Sequence, residues 1–226
     1  MAQLIRSKDR MEVVFMMDMP SSFYKWAYGK RADMVRRLAA GEKVDPNKMF
    51  LSFTTHCPTF ISHGPAGLNA SVKGIGWLPK KEYMQQTLDA YLKHIDSGWR
   101  EGYSEDGLKL LVELLYGEGC EKKIDFTVMS SMELAKKHSW ENFNAGKEVT
   151  LSFFEPPVIH YEVRGKIEIV NEGMLHKLVN AQHDVYHQPH PERWESRPVY
   201  IVHVEEIFDN SATKAGFGTK AEVIKG

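Results

Sequence analysis

Apolar residues recur at helical spacing through the first half of the chain and at alternate positions through the second half. The helical spacing predicts four helices, over about 21–40, 80–96, 104–116 and 174–187. A serine at position 21 or 22 is expected to cap the first helix, because a serine hydroxyl can accept from a first-turn amide. Residues 1–120 therefore read as mainly helical.

Alternation of apolar and polar residues is clearest over 158–170, where Gly165 interrupts the apolar face and predicts a bend. Further strands are predicted over 49–53, 59–62, 69–77, 125–129, 148–154 and 198–208. Strands with one polar face are typical of antiparallel sheets, not of parallel sheets covered on both sides. Together with the helices they predict an α+β or mainly β fold built on a small antiparallel barrel.

One more helix is predicted after the strand at 125–129, from Ser130 to about Phe143. Ser130 and Glu133 match the Ser-x-x-Glu pattern in which serine caps the helix and glutamate bonds back to the serine amide. Ser130 and Ser131 are then expected at a helix N-terminus, where backbone amides can bind an anion.

Composition narrows the functional classes. The 226 residues hold 29 Lys plus Arg and 30 Asp plus Glu, a net charge of −1, which argues against binding nucleic acid or membrane surfaces by bulk positive charge. No apolar run approaches the roughly 20 residues of a membrane-spanning helix. Cys57 and Cys120 are too few for a disulfide framework. We expect a cytoplasmic protein with reduced thiols that acts on a small molecule.

Histidines concentrate near the end of the predicted helix at 174–187. His183 and His187 are four residues apart and share one face of that helix, and His190 follows. Such spacing can hold a divalent metal. Carboxylate ligands are available nearby from Asp184, Glu192 and Glu195. A metal-dependent lyase or hydrolase is therefore one hypothesis, although prolines at 189 and 191 interrupt the helix.

A second group, His56, Cys57 and His63, surrounds a predicted turn and is expected to line a substrate pocket. A histidine beside a cysteine can favour the thiolate, which is the nucleophilic form. No P-loop, Gly-x-Gly-x-x-Gly or Gly-x-Ser-x-Gly motif is present, which argues against an ATPase, a Rossmann dehydrogenase and an α/β hydrolase.

Five short motifs follow one another between residues 121 and 210. They are a strand ending in Ser130-Ser131, a segment with lysines at 136 and 137, the strand at 149–154, the run at 163–168, and an Arg-Pro pair before the last strand. This order resembles the FMN-binding split-barrel proteins, the superfamily of pyridoxamine 5'-phosphate oxidase. The resemblance implies an antiparallel split β-barrel with inserted helices, a homodimer, and an FMN-dependent oxidoreductase acting on a small organic substrate.

The resemblance also implies an organisation and a site. The chain would be one split-barrel domain over 1–226, with an N-terminal helical extension at 1–45 and a helical insertion at 79–117. The phosphate of FMN would lie against hydroxyl and basic side chains, and Trp194 could cover the flat ring. The predicted cofactor residues are Thr127, Ser130, Ser131, Lys136, Lys137, His160, Trp194 and Arg197.

The first half departs from the family pattern. The stretch 50–60 lacks the Asp-Gly turn that family members usually have, and Ser62 and His63 stand where basic residues are expected. A remodelled pocket leaves heme or a deazaflavin open as the cofactor. A heme- or flavin-binding carrier or sensor on the same fold is therefore the alternative to the oxidoreductase.

Overall fold

The computed structural model describes residues 19–221 and two short strands before them, β1 (Gln3–Leu4) and β2 (Val13–Val14). These two strands pair antiparallel and form a small sheet of their own. The predicted N-terminal extension at 1–45 thus falls partly outside the described residues. All other elements belong to one barrel and the helices around it.

Seven α-helices occur among the described residues. They are α1 (Ser21–Tyr24), α2 (Lys30–Ala39), α3 (Pro46–Ser52), α4 (Lys81–Asp96), α5 (Tyr103–Leu111), α6 (His138–Ala145) and α7 (Gly173–Asp184). A π-helical turn, Lys25–Gly29, joins α1 to α2, so the predicted first helix is continuous. A second π-helical turn, Val112–Tyr116, extends α5. The predicted serine cap is wrong, because Pro20 takes the N-cap position and both serines lie inside the first turn.

Eight strands form the main sheet, all antiparallel. They are β3 (Thr59–Gly64), β4 (Gly67–Val72), β5 (Gly76–Pro79), β6 (Ile124–Met132), β7 (Glu148–Glu155), β8 (Ile159–Val170), β9 (Val199–Asp209) and β10 (Thr219–Ala221). Their order is β4-β3-β7-β8-β9-β6-β5, with β10 on β9. The polar tail gave no sequence signal for β10.

The two ends of the sheet meet at the short connection between β4 and β5. The Lys73 amide donates to the Pro58 carbonyl at 3.1 Å, just before β3. The Ser131 hydroxyl of β6 donates to the Gly74 carbonyl at 2.8 Å. The connection is therefore hydrogen-bonded to the start of β3 on one side and to β6 on the other, although β4 and β5 do not pair with each other. This is the predicted α+β class, with an antiparallel split barrel and helices inserted between its strands.

The first helix is held on the barrel by aromatic packing. Phe23 lies fully buried against Phe153 and Tyr161, with ring centroids 5.5 and 5.1 Å away. Farther along the same helix, Tyr28 packs edge-on against Phe126 at 5.2 Å. Buried aromatic pairs of this kind fix orientation as well as burying area. The helix therefore carries the next residues, including Arg31, to a defined place beside the barrel.

The strand predicted over 49–53 is wrong, because this segment lies in and just after α3. The Asp45 side chain accepts from the amides of Asn47 and Lys48 at 2.7 and 3.4 Å, and Pro46 occupies the first turn. Asp45 and Pro46 therefore form the N-terminus of a helix. Phe50 remains 66% exposed, so no buried face selects a strand.

The helix predicted from Ser130 is also wrong. Ser130 and Ser131 lie inside β6, which continues to Met132, and α6 begins only at His138. The Glu133 carboxylate does accept two backbone amides, those of Ala135 and Lys136, both at 2.7 Å. Glu133 therefore forms the hydrogen bonds of a helix cap in a turn that no helix follows directly. The strand β6 stays paired with β9 up to Met132.

Glycines mark two irregularities in the sheet. The strand predicted over 69–77 is two strands, β4 and β5, and the pairing of β5 with β6 shifts register after Gly76. The bend predicted at Gly165 is confirmed, because the pairing of β8 with β9 shifts register there. A Cβ atom on Gly165 would lie 2.1 Å from the His203 carbonyl oxygen, so a side chain has no room.

Candidate functional site

A cavity of about 160 Å³ opens between the β4–β5 connection, the end of β6 and the C-terminal end of α7. We call it the Arg31 cavity. Among the described residues, its lining combines one guanidinium, three imidazoles, two phenols and two serine hydroxyls, and contains no carboxylate. It is lined by Arg31, His56, Gly74, Ile75, Gly76, Leu111, Tyr116, Ser130, Ser131, Met132, Val179, Gln182, His183, Tyr186 and His187.

Glycines allow the backbone of the barrel to approach polar side chains here. A Cβ atom on Gly76 would lie 2.8 Å from the Ser130 hydroxyl and 3.1 Å from the Gln182 amide nitrogen. A Cβ atom on Gly74 would lie 3.4 Å from Nε2 of His56. Any larger residue at 76 would push into the cavity, so the glycine keeps this wall open.

Arg31 is the one permanent cation of the lining. It forms no ion pair with a carboxylate in the part of the chain that the structure describes, and its Nε atom is buried without a hydrogen-bond partner. Its guanidinium does bond the Tyr116 hydroxyl. The Gln182 Oε1 atom is also buried without a partner. A guanidinium placed among neutral groups favours an anion from solution, since nothing in the lining compensates its charge.

Two histidines of the cavity, His56 and His187, are biased toward their neutral forms. Burial lowers the pKa of His56 to about 3, with further contributions from the charges of Arg31 and His187. His187 lies at the mouth, where partial burial and the neighbouring His183 lower its pKa, while Asp184 acts in the opposite direction. At neutral pH the cavity therefore holds the Arg31 charge beside a neutral His56 imidazole.

Asp184 organises the turn behind the cavity. Its Oδ1 atom lies 2.9 Å from Nδ1 of His183, and its Oδ2 atom accepts from the His190 amide at 2.9 Å and from Trp194 Nε1 at 2.8 Å. Arg197 adds a longer contact at 3.3 Å. Burial alone would raise the pKa of Asp184, but these donors outweigh it and hold the pKa well below its usual value. Asp184 is thus a fixed anion that orients His183.

The end of α7 is held from the other side by α4 and α5. Its last carbonyls meet side chains of those helices: the Tyr103 hydroxyl donates to Asp184 at 2.9 Å, and His94 Nε2 lies 3.1 Å from the Val185 oxygen. A Cβ atom on Gly107 would lie 1.7 Å from the same oxygen. The positions of His183 and His187 therefore depend on contacts with the segment 79–117.

The structure brings together some of the predicted site residues. Ser130, Ser131, His56 and His183 all line the Arg31 cavity, although sequence analysis had assigned them to three separate sites. The two serine hydroxyls are buried and donate to the carbonyls of Gly76 and Gly74, at 3.2 and 2.8 Å. The predicted phosphate cradle and the predicted substrate pocket therefore share one wall.

Other predicted cofactor residues lie elsewhere. Thr127 is exposed and donates its hydroxyl to Asp125 at 2.6 Å. Lys136 and Lys137 are exposed in the turn before α6. Trp194 and Arg197 are engaged with Asp184. None of these side chains lines the cavity.

The remaining predicted residues of the barrel are also outside the cavity. His160 shares a hydrogen bond of 3.1 Å with Ser152 on neighbouring strands. His63 is exposed on β3. Cys57 follows His56 but is not part of the lining, and burial raises the pKa of its thiol, which disfavours the thiolate.

The histidine cluster does not assemble a metal site. Within 19–221, no three His, Cys, Asp or Glu side chains converge closely enough to hold a metal ion. The rings of His183 and His187 do share a face, with centroids 4.5 Å apart. Their nearest carboxylate, Asp184, is already bonded to four neighbours.

Arg31, Tyr116 and Gln182 are site residues that sequence analysis missed. One signal was present for Arg31: it lies four residues after Ala27 and four before Val35, both buried, so it occupies the apolar face of its helix. Tyr116 and Gln182 carry no comparable signal.

Comparisons with known proteins give fold-level likenesses only. No protein-family model matches the chain, and no curated protein is similar to it. Among solved structures, HupZ of Group A Streptococcus is similar at 14% identity and a TM-score of 0.45, over 80% of this chain and 100% of that chain. An F420 reductase is similar at 17% identity and a TM-score of 0.36, over 67% of this chain and 88% of that chain. No helix among the described residues is long and apolar enough to cross a membrane.

Proposed function

We propose that the protein binds FMN through the Arg31 cavity and acts as an FMN-dependent oxidoreductase on a small organic substrate. The observation that carries the proposal is the Arg31 guanidinium, which has no carboxylate partner in the described chain and lies with Ser130 and Ser131 in one cavity. A phosphate monoester is an anion with several acceptor oxygens, and a guanidinium is one of its usual donors. In this arrangement Arg31 takes the role that sequence analysis gave to Lys136 and Lys137.

The size of the cavity fits one end of such a ligand. Pockets that enclose a whole organic ligand usually measure about 300–1,000 Å³, whereas this cavity measures about 160 Å³. The phosphate end would therefore occupy the cavity while the ring system extends beyond it. When bound, the flavin ring supplies two-electron chemistry. The chain's own contribution here is to anchor the phosphate and to keep competing carboxylates away from it.

A homodimer is part of the proposal. The edge strand β4 exposes Leu68 and Val72, which are 78% and 68% accessible. An unpaired edge with apolar side chains favours association. A partner subunit could also complete the walls that a 160 Å³ cavity lacks. Sedimentation at micromolar concentration is expected to show a dimer, and a monomer would argue against this part.

The phosphate anchor is tested by comparing FMN with riboflavin, which lacks the phosphate. Arg31→Met should weaken FMN binding by about ten- to a hundredfold, because a charge-assisted hydrogen bond is lost. Riboflavin binding should hardly change. Arg37→Met is the matched control, since Arg37 lies on the same helix and pairs with exposed Glu42 at 2.6 Å. Equal losses for both ligands, or for both variants, would contradict the anchor.

Heme is the second candidate, and one observation favours it. Three imidazoles line the cavity, and the neutral form favoured at His187 is the form that ligates heme iron. Arg31 would then meet a propionate. The absorption spectrum of the purified or reconstituted protein separates the two candidates, because heme gives a strong Soret band and FMN gives the two flavin bands.

A further inference from the structure

We infer that Gln182 makes the Arg31 cavity selective for phosphate monoesters that carry a hydroxyl group on the carbon next to the one that bears the phosphate. The ribityl phosphate end of FMN has such a hydroxyl, and so do the phosphates of other small polyols. The inference deepens the proposed function, on which it rests for the identity of the natural ligand. It adds a second recognised group to the anion that Arg31 attracts.

Arg31 and Gln182 each have one buried atom without a partner, and the two atoms are of opposite kinds. Among residues 19–221, Nε of Arg31 is a buried donor without an acceptor, and Oε1 of Gln182 is a buried acceptor without a donor. Both side chains line the same cavity, Arg31 from α2 and Gln182 from α7. A buried acceptor that stays unpaired costs free energy, so a ligand that brings a donor to it gains affinity.

The hydroxyl groups beside Gln182 are already engaged within the protein. The Ser130 hydroxyl and the Gln182 amide nitrogen approach the same point, since they lie 2.8 and 3.1 Å from the place of a Cβ on Gly76. Ser130 nevertheless donates to the Gly76 carbonyl, at 3.2 Å. Ser131 donates to the Gly74 carbonyl at 2.8 Å. The serines of this wall therefore leave the Gln182 oxygen to a donor from solution.

Gly76 keeps the space beside the Gln182 amide open. A side chain at position 76 would collide with the amide nitrogen, which is 3.1 Å from the place of its Cβ. The last torsion of a glutamine side chain is broad, so the amide can turn and present its oxygen to the cavity. A ligand hydroxyl that donates to Oε1 would hold the amide in that orientation.

The small volume of the cavity fixes where the ligand must carry its donor. In about 160 Å³, the donor that reaches Gln182 must belong to the same end of the ligand as the anion that reaches Arg31. A hydroxyl beside a phosphate ester meets this condition, whereas a simple alkyl phosphate and a heme propionate have no donor there. A site that hydrogen-bonds a ligand hydroxyl rejects the analogue without it, because the polar group of the protein is then left unpaired.

The test compares glycerol 3-phosphate with n-propyl phosphate, which have the same charge and the same number of carbon atoms. Only glycerol 3-phosphate has a hydroxyl next to the ester-bearing carbon. Their dissociation constants are measured at neutral pH by nuclear magnetic resonance titration of the isotope-labelled protein. We expect glycerol 3-phosphate to bind about ten- to a hundredfold more tightly, because n-propyl phosphate leaves a buried acceptor unpaired. Equal affinities, or no binding of either probe, overturn the inference.

Gln182→Met keeps the length of the side chain and removes the acceptor, so the two affinities should come within about twofold of each other. Gln188→Met is the matched control and should keep the preference, because Gln188 is exposed just after the same helix and lies outside the cavity lining. Arg31→Met should instead weaken both probes alike. If Gln182 had only a structural role, its variant would change both affinities and leave their ratio, which would overturn the inference.

If Gln182→Met does not fold, the wild-type protein still decides. The side-chain amide signal of Gln182 should shift on addition of glycerol 3-phosphate and much less on addition of n-propyl phosphate. Equal shifts, or none, overturn the inference.

The two proposals can fail separately. FMN that binds more tightly than riboflavin, combined with equal binding of the two small phosphates, would leave the proposed function standing and remove this inference. A preference for glycerol 3-phosphate that depends on Gln182, combined with no preference for FMN over riboflavin, would do the reverse.

Discussion

Two charged groups, Glu133 and Arg31, lie near the end of β6. They differ in how completely their side chains are bonded within the protein. Glu133, just after the strand, is 1% exposed in its side chain and accepts from Lys73 at 3.0 Å and from the Tyr200 hydroxyl at 2.8 Å. Two backbone amides complete its partners. Arg31, facing the last residues of β6, has no carboxylate partner among residues 19–221 and leaves its Nε unbonded. The first cluster is complete without a ligand and the second is not.

The difference distinguishes a charge that stabilises the fold from a charge that is available to a ligand. Burial alone would raise the pKa of Glu133, but the Ala135 amide, the Tyr200 hydroxyl and the other donors hold the pKa below its usual value. The carboxylate therefore stays charged and ties Lys73, in the connection that closes the barrel, to β9. A satisfied buried charge of this kind stabilises one conformation. Arg31 is partly exposed and has no carboxylate partner among the described residues, so its charge remains available to an anion.

The largest expected effect is on the Glu133 cluster. Glu133→Gln leaves the Lys73 ammonium largely buried without its counter-charge, and such a change costs about 3–5 kcal/mol. Urea unfolding should show this loss. Glu205→Gln serves as the control, because Glu205 pairs with Lys166 at 2.9 Å but both are about half exposed. Removing that pair should cost less than about 1 kcal/mol. Similar losses of unfolding free energy in the two variants would show that the Glu133 cluster stabilises the fold no more than an exposed ion pair does.

The next effect concerns pH and the Arg31 cavity. The folded pKa of His56, about 3, lies below the ordinary 6.5, so the unfolded chain binds a proton that the folded chain does not. Its contribution to stability is complete above about pH 6.5 and is lost as the pH falls toward 3. The slope is up to about 1.4 kcal/mol per pH unit.

His56→Gln removes this titration and should flatten the profile of unfolding free energy between pH 6.5 and 4, measured by denaturant unfolding at several pH values. Carboxylates titrate in both proteins, so the difference between the two curves isolates the imidazole. Parallel curves would show that His56 does not resist protonation in the folded protein.

A smaller effect is expected when Arg31 itself loses its charge. Arg31→Met keeps much of the aliphatic volume and removes a cation without a counter-charge, so stability should stay within about 1 kcal/mol or rise. Denaturant unfolding of the variant without ligand measures this. A loss comparable to that of Glu133→Gln would mean that Arg31 has a structural partner and that the comparison fails.

The smallest effect is expected from the thiols. Cys57 and Cys120 are both free in the structure and belong to neither cluster. Adding a reducing agent should therefore leave the melting temperature unchanged, as measured by differential scanning calorimetry. A clear drop on reduction would reveal a disulfide and contradict the two free thiols.

Sequence patterns predicted those parts of the fold that depend on a regular burial period. β8 is the clearest case, since Tyr161, Val163 and Ile167 are all buried on the face that alternation indicated. The same reasoning failed at 49–53, where five residues are too few to distinguish two periods and Asp45 starts a helix instead. The Ser-x-x-Glu pattern can form without a helix. Glu133 accepts backbone amides as a capping glutamate does, yet no helix begins at Ser130.

The cavity could be predicted only in fragments. The shared face of His183 and His187 follows from their spacing, and it is observed. Their proximity to Ser130 and Arg31 depends on how the strands of the barrel pair and on how α2 packs against it. Neither of these produces a local pattern in the sequence. Arg31 on an apolar helix face was the one available signal, because a charge in that position needs a reason.

The contacts between α7 and the segment 79–117 bear on how the chain can be divided. The C-terminal carbonyls of a helix have no partner within it. Here donors from another part of the sequence serve them: the Tyr103 hydroxyl bonds Asp184, and the Ser104 hydroxyl bonds the Tyr186 carbonyl, both at 2.9 Å. Excising the segment to obtain a minimal barrel would leave these oxygens exposed and release the histidine-bearing turn. The segment is not a removable module, and shortened versions of this protein should retain it.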